Sequence, residues 1–210
     1  MEKTPMRLVT RFAALSVFLF AAACGGDDGG GDITLTPDAD TTPSPDAPQQ
    51  VTCTADSSYG TVTPAQQFGQ ADAATNPTQL VWGATLNADT MPDIVQLELY
   101  KGLGAFTNTE IVPGNYPLTG EELNYETCGV CVIFYTDADL NGTAFADNYF
   151  VTGGTVNITS VSPNITGTLT NLTLEHVTID EANNYHSTPV GDGCNSAITS
   201  LAFDATVQTQ

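Results

Sequence analysis

Two loops and one pair of cysteines hold most of the side chains in this chain that could do chemistry. In Asp137-Ala138-Asp139-Leu140-Asn141-Gly142-Thr143, side-chain oxygens stand at alternate positions and a glycine follows them. That spacing lets several oxygens turn toward one hard cation while the backbone bends sharply. Asp137, Asp139, Asn141, the carbonyl of Thr143 and, further on, Asp147 are therefore candidate calcium ligands. The stretch from Asn183 to Cys194 sets His186 beside Ser187 and close to Asp192, a base, a hydroxyl and a carboxylate of the kind nucleophilic hydrolysis uses. Cys128-Gly129-Val130-Cys131 spaces two thiols as dithiol redox sites do.

Each group also has a plainer reading. The Asp137 loop resembles the calcium loops of EF-hands, with Asp137, Asp139 and Asn141 at their first, third and fifth positions, Gly142 at the sixth and Thr143 at the seventh. Where that family carries a bidentate Glu this chain has Asn148, with Asp147 one residue early. The same Asp, Asn and Gly also compose a polar hairpin turn. Side chains that neighbour one another in a loop seldom form a catalytic triad, and the chain has neither G-x-S-x-G nor H-E-x-x-H. His176 lies in the strand-like run LTLEHVT and shares a face with Leu172 and Leu174, which predicts a packing role. The sequence points to no catalytic residue, and calcium is the one cofactor its motifs favour.

The N-terminus speaks to location. Lys3, Arg7 and Arg11 precede an apolar run from Phe12, which ends in Ala21, Ala22 and Ala23 before Cys24. This is the layout of an export signal. The uncharged run from Phe12 to Ala23, apolar except for Ser16, has 12 residues, short of the roughly 20 that a membrane-spanning helix needs. Ala21-Ala22-Ala23-Cys24 resembles the bacterial lipobox, in which the cysteine is acylated and becomes the mature N-terminus. An ordinary secretory cleavage after Ala23 is the alternative. The resemblance implies a membrane anchored through lipid on Cys24, and Gly25 after it implies sorting to the outer membrane.

Five cysteines leave one over if the rest pair, and lipid on Cys24 makes the remainder even. Cys53, Cys128, Cys131 and Cys194 then allow three pairings. Cys131 runs straight into the strand VIFYT, not into the helix N-terminus a redox motif uses. Structural bridges are expected, Cys128 to Cys131 locally and Cys53 to Cys194 across the domain; the alternative joins each of Cys128 and Cys131 to a distant cysteine. Four-cysteine zinc binding is disfavoured by export to an oxidising compartment.

Without residues 1–23 the chain carries 23 acidic residues against Lys101 alone, a formal net charge of −22. Nucleic acid is excluded as a partner, since binding its phosphates takes clustered Lys and Arg. Residues 24–50 are nearly all Gly, Asp, Pro, Thr and Ala and are expected to be a disordered tether.

Residues 51–210 have the length of one domain. They lack sustained helical spacing and are rich in Thr, Val, Gly and Asn, which predicts an all-β domain, an antiparallel β-sandwich or jelly roll, with a closed barrel as the alternative. Strands are expected at 80–86, 94–100, 130–135, 148–152, 155–161, 167–179 and 197–207. In IVQLELY, Val95, Leu97 and Leu99 should face the core and Ile94, Gln96, Glu98 and Tyr100 should face away. The Asn-Ile-Thr, Asn-Ile-Thr, Asn-Leu-Thr repeat at Asn157, Asn164 and Asn171 reads as strand edges and turns.

The whole resembles bacterial lipoproteins that join a lipobox and an Asp/Pro/Thr tether to a cysteine-bridged β domain. That implies a non-catalytic binding or structural role at the cell envelope with a glycan or protein ligand. The alternatives are a calcium-supported carbohydrate-binding module, stacking sugars on Trp82, Tyr59, Tyr100, Tyr116 or Tyr149, and an extracytoplasmic hydrolase using His186.

Overall fold

The structure, a computed structural model, describes residues 51–142 and 144–209. The readings made for residues 1–50, Cys24 among them, and for Thr143 lie outside the described residues. The domain is all-β, as its composition predicts: β1 (Gly60–Val62), β2 (Gln67–Ala71), β3 (Gln79–Thr85), β4 (Ile94–Tyr100), β5 (Gly114–Pro117), β6 (Val130–Tyr135), β7 (Asn148–Ser160), β8 (Asn164–Asp180), β9 (His186–Pro189) and β10 (Asn195–Thr209). The helical turns among the described residues are short 3-10 segments at Gly104–Phe106, Gly120–Leu123 and Glu181–Asn183.

All the strands join one sheet. From β2 the pairings run through β3, β4, β6, β7, β8 and β10, and β10 pairs β2 again, so the sheet is rolled on itself around its apolar face. Neighbours along the sheet from β2 to β10 pair antiparallel, but β10 lies parallel to both β1 and β2. Parallel neighbours cannot be joined by a tight hairpin; here nearly the whole domain separates them, so local patterning carries no trace of the parallel seam. Registered positions stack the core: Trp82 is opposite Leu97, and Leu97 opposite Val132. Trp82, Leu97, Val132, Phe134 and Tyr149 are buried, and Phe203 from β10 meets the Trp82 ring at 5.2 Å.

Two expectations about strands need correction. Gln96, Glu98 and Tyr100 do alternate with Leu97 and Leu99, but all seven residues of β4 are buried. The outer face is covered, and buried Glu98 accepts hydrogen bonds from Tyr100 at 2.5 Å and Tyr125 at 2.7 Å. The break expected at Gly153-Gly154 is instead a bulged stretch inside one long strand, with register shifts on both sides of Gly153. Gly154 has φ +125°, and a Cβ there would run into the Leu172 side chain, so glycine is what the bulge requires.

One end of the sheet gathers four connections: the loops 86–93, 136–147 and 190–194, and the segment 51–59 that leads into β1. The register places them together, since Ile94 is opposite Tyr135, Asn148 opposite Val177 and Asn195 opposite Glu175. Segment 51–59 lies across this end as a strap. Tyr59 N–H donates to Ala197 O at 2.9 Å, the Ser196 hydroxyl donates to Asp56 O at 2.7 Å, and the Tyr59 ring packs edge-on against Phe134.

Candidate functional site

The densest polar network lies at the strap end and centres on His176. Its imidazole stacks on the Tyr149 ring at 5.3 Å. Nδ1 is 2.6 Å from Asp192 Oδ2 and Nε2 is 3.3 Å from Asp147 Oδ1. Asp147 also accepts from the Thr54 hydroxyl at 2.9 Å, which in turn accepts from Thr136 at 2.8 Å. Asp192 accepts from Cys194 N–H at 2.9 Å; this bond, with His176 beside it, holds the Asp192 carboxyl below the ordinary range. Four segments distant in sequence meet here, and the Cys53–Cys194 disulfide fastens the strap to the same place. His176 does stack, as a packing residue should, but its principal role is polar. Both ring nitrogens therefore face carboxylates of the same domain.

A second cluster lies beside it. Buried Asp93 accepts from Tyr59 Oη at 2.5 Å, from Asn87 Nδ2 at 3.2 Å and from Asp137 N–H at 3.0 Å. Burial pushes the Asp93 carboxyl up despite these donors, and burial together with Asp93 pushes the Tyr59 phenol up.

The predicted calcium loop is distributed differently. Asp137 sits at φ +49° with its N–H on Asp93. Asp139 closes a turn, its Oδ1 accepting from Asn141 N–H at 2.9 Å and its carbonyl from Gly142 N–H at 3.1 Å. Asp147 turns away to Thr54 and His176. Among the described residues no three His, Cys, Asp or Glu side chains gather where they could hold a metal ion.

His186, Ser187 and Asp192 do not assemble. His186 Nδ1 pairs with Glu126 Oε2 at 2.9 Å, the Ser187 hydroxyl accepts from Tyr125 N–H at 3.1 Å, and Asp192 belongs to His176. Cys128 is disulfide-bonded to Cys131 and lies next to a buried carboxylate. Glu122 accepts from the N–H groups of Ala105 (2.6 Å), Gly129 (2.9 Å) and Val130 (2.6 Å). Burial raises its pKa more than these donors lower it. A Cβ on Gly104, at φ +40°, would strike Glu122 Oε1 and Gly129 N.

The proposed sugar platforms are mostly internal. Trp82, Tyr100 and Tyr149 are buried, and Trp82 Nε1 donates to Gln67 at 3.1 Å. Tyr116 is half-buried, edge-on to Phe106, with its hydroxyl on Val112 O, and Tyr59 is tied to Asp93. The roles of Glu122, Asp93 and Glu98 escape sequence reasoning. A carboxylate on an alternating strand or in a loop reads as solvated, and only tertiary packing makes it an acceptor for buried N–H and O–H groups. The chain matches no family model, no curated protein and no solved structure.

Proposed function

We propose that this protein is a lipid-anchored, extracytoplasmic protein of the cell envelope, sorted to the outer membrane. Its β domain has a non-catalytic binding or structural role, with a glycan or protein as ligand. The observation that carries the reading is how the reactive side chains are employed. His176, Asp147, Asp192, Asp93, Glu122 and Ser187 all make hydrogen bonds or ion pairs that tie distant segments of the same domain together. Polar groups used in this way build a robust body for display. Two disulfides fit an oxidising compartment, and the lipobox-like Ala21-Ala22-Ala23-Cys24 supplies the anchor.

The test is the intact mass of the protein recovered from membranes. The expected chain begins at Cys24 and carries a diacylglyceryl thioether and an N-acyl group; the Cys24→Ser variant is expected to keep its signal peptide and lack both. A mature chain with an unmodified Cys24 thiol would instead indicate an ordinary secreted protein, and a parent chain retaining Met1 would overturn the processing at Cys24.

A further inference from the structure

Seven large apolar side chains are exposed among the described residues: Val51, Met91, Val112, Leu123, Leu140, Phe145 and Val190. Scattered singly, such residues need no explanation. Here five of them, Val51, Met91, Leu140, Phe145 and Val190, stand on the four connections at the strap end. Contacts link those connections. Val51 lies two residues before Cys53, which is bonded to Cys194 near Val190; Val190 N–H donates to His176 O; and Ala138 N–H donates to Pro92 O, beside Met91. Phe145 rests on Tyr135 with ring centres 4.9 Å apart.

We infer that the strap end, through Met91, Leu140 and Phe145 with Val51 and Val190, rests on a lipid surface of net-neutral headgroups. The inference depends on the lipid anchoring proposed for Cys24. Two observations select this occupant. The described chain begins at this end, and only 26 residues separate Val51 from Cys24, a span of at most roughly 90 Å. The apolar end is therefore the end nearest the anchor along the chain. The charge selects the headgroup: Asp56, Asp89, Asp137 and Asp139 lie on the same connections, and Lys101 is at the opposite end, paired with Glu110 at 2.6 Å. An anionic surface would repel this end, whereas neutral headgroups leave apolar contact to act.

The experiment uses the mature lipidated chain in phosphatidylcholine vesicles, held by its own lipid. An environment-sensitive dye is placed on Leu140→Cys or Phe145→Cys, and on Val112→Cys at the far end as a control. Vesicles with brominated acyl chains should quench the dye at 140 and 145 and blue-shift its emission, leaving the dye at 112 unaffected. Emission at 140 and 145 should recover as phosphatidylglycerol replaces phosphatidylcholine. Dyes at 140 and 145 that behave like the one at 112, on a chain whose mass shows lipid on Cys24, overturn the membrane contact alone. An unlipidated Cys24 overturns the anchor and the contact together.

Discussion

Glu122 offers the sharpest test of the account of buried carboxylates. Glu122→Ala removes the acceptor for three N–H groups, those of Ala105, Gly129 and Val130. A buried donor left unsatisfied costs about 1–3 kcal/mol. Gly129 and Val130 share Oε2, so their losses overlap, and removing a carboxylate that burial disfavours returns part of the cost. The expected net loss is about 3 kcal/mol, a large share of the roughly 5–15 kcal/mol that holds a domain folded. Glu122→Gln keeps one acceptor oxygen but turns an amide N–H₂ toward at least one N–H, and should cost roughly 1–2 kcal/mol. Trp82, the sole tryptophan and fully buried, reports unfolding in urea on the oxidised chain, and an unchanged slope would assign the shift in midpoint to stability. The pH dependence fixes the sign. The folded-state pKa of Glu122 is raised, so its contribution is fully present below the unfolded value and is lost as pH rises through the folded one. The gap between the parent chain and Glu122→Gln should therefore widen as pH falls from 8 toward 4.5. A gap that is flat with pH or widens with rising pH, or a loss below about 1 kcal/mol for Glu122→Ala, would refute the reasoning.

The two disulfides should differ in worth. Cys53–Cys194 spans a sequence separation of 141 and Cys128–Cys131 one of 3, so chain entropy predicts losses of about 5 and about 2 kcal/mol when each pair is replaced by serine; equal losses by calorimetry would contradict it. His176→Phe keeps a ring against Tyr149 but removes both carboxylate contacts. Hydrogen exchange should accelerate in residues 53–59 and 190–194 ahead of the rest of the domain, and uniform acceleration would count against a local clamp. Trp82→Ala should cost about 3–5 kcal/mol as a core truncation; loss of glycan binding with an unchanged melting temperature would make Trp82 a surface platform instead. Millimolar calcium should leave the melting temperature at its value in EDTA, because Asp147 is held by His176 and Thr54. A rise with the logarithm of calcium concentration, abolished by Asp139→Ala, would mean that the loop refolds around the ion.

Legibility followed the range of the interactions involved. Ile94–Tyr100 and Val130–Tyr135 could be read to the residue because apolar and β-branched runs bounded by turns are local signals. The strands Gly60–Val62, Gln67–Ala71, Gly114–Pro117 and His186–Pro189 went unread. They are short: QFGQA is held by β3 and by β10 from the far end of the chain, and HSTP is too brief and polar to signal the hairpin it makes with β8. The side-chain contacts of the Asp137 loop followed the same rule. D-x-D-x-N-G is a local pattern, but Asp147 answers to Thr54 and His176, which are 93 and 29 positions away along the chain. His176 was legible as a strand residue facing inward; its two carboxylate partners come from other connections and left no mark near it.

The Cys53–Cys194 bond also sets a mechanical load path. Tension on residues ahead of Cys53 passes through a covalent bond to the head of β10, without travelling along the strap. There it pulls along a strand paired with β8 from Asn195 to Thr206, so the ladder is loaded in shear and its hydrogen bonds share the force. Reduced, the same pull would reach Thr54, Asp56 and Tyr59 in turn and peel their contacts away one at a time. Redox state at a single bond thus decides whether a tug on the N-terminus meets the whole sheet or only its outermost stitches.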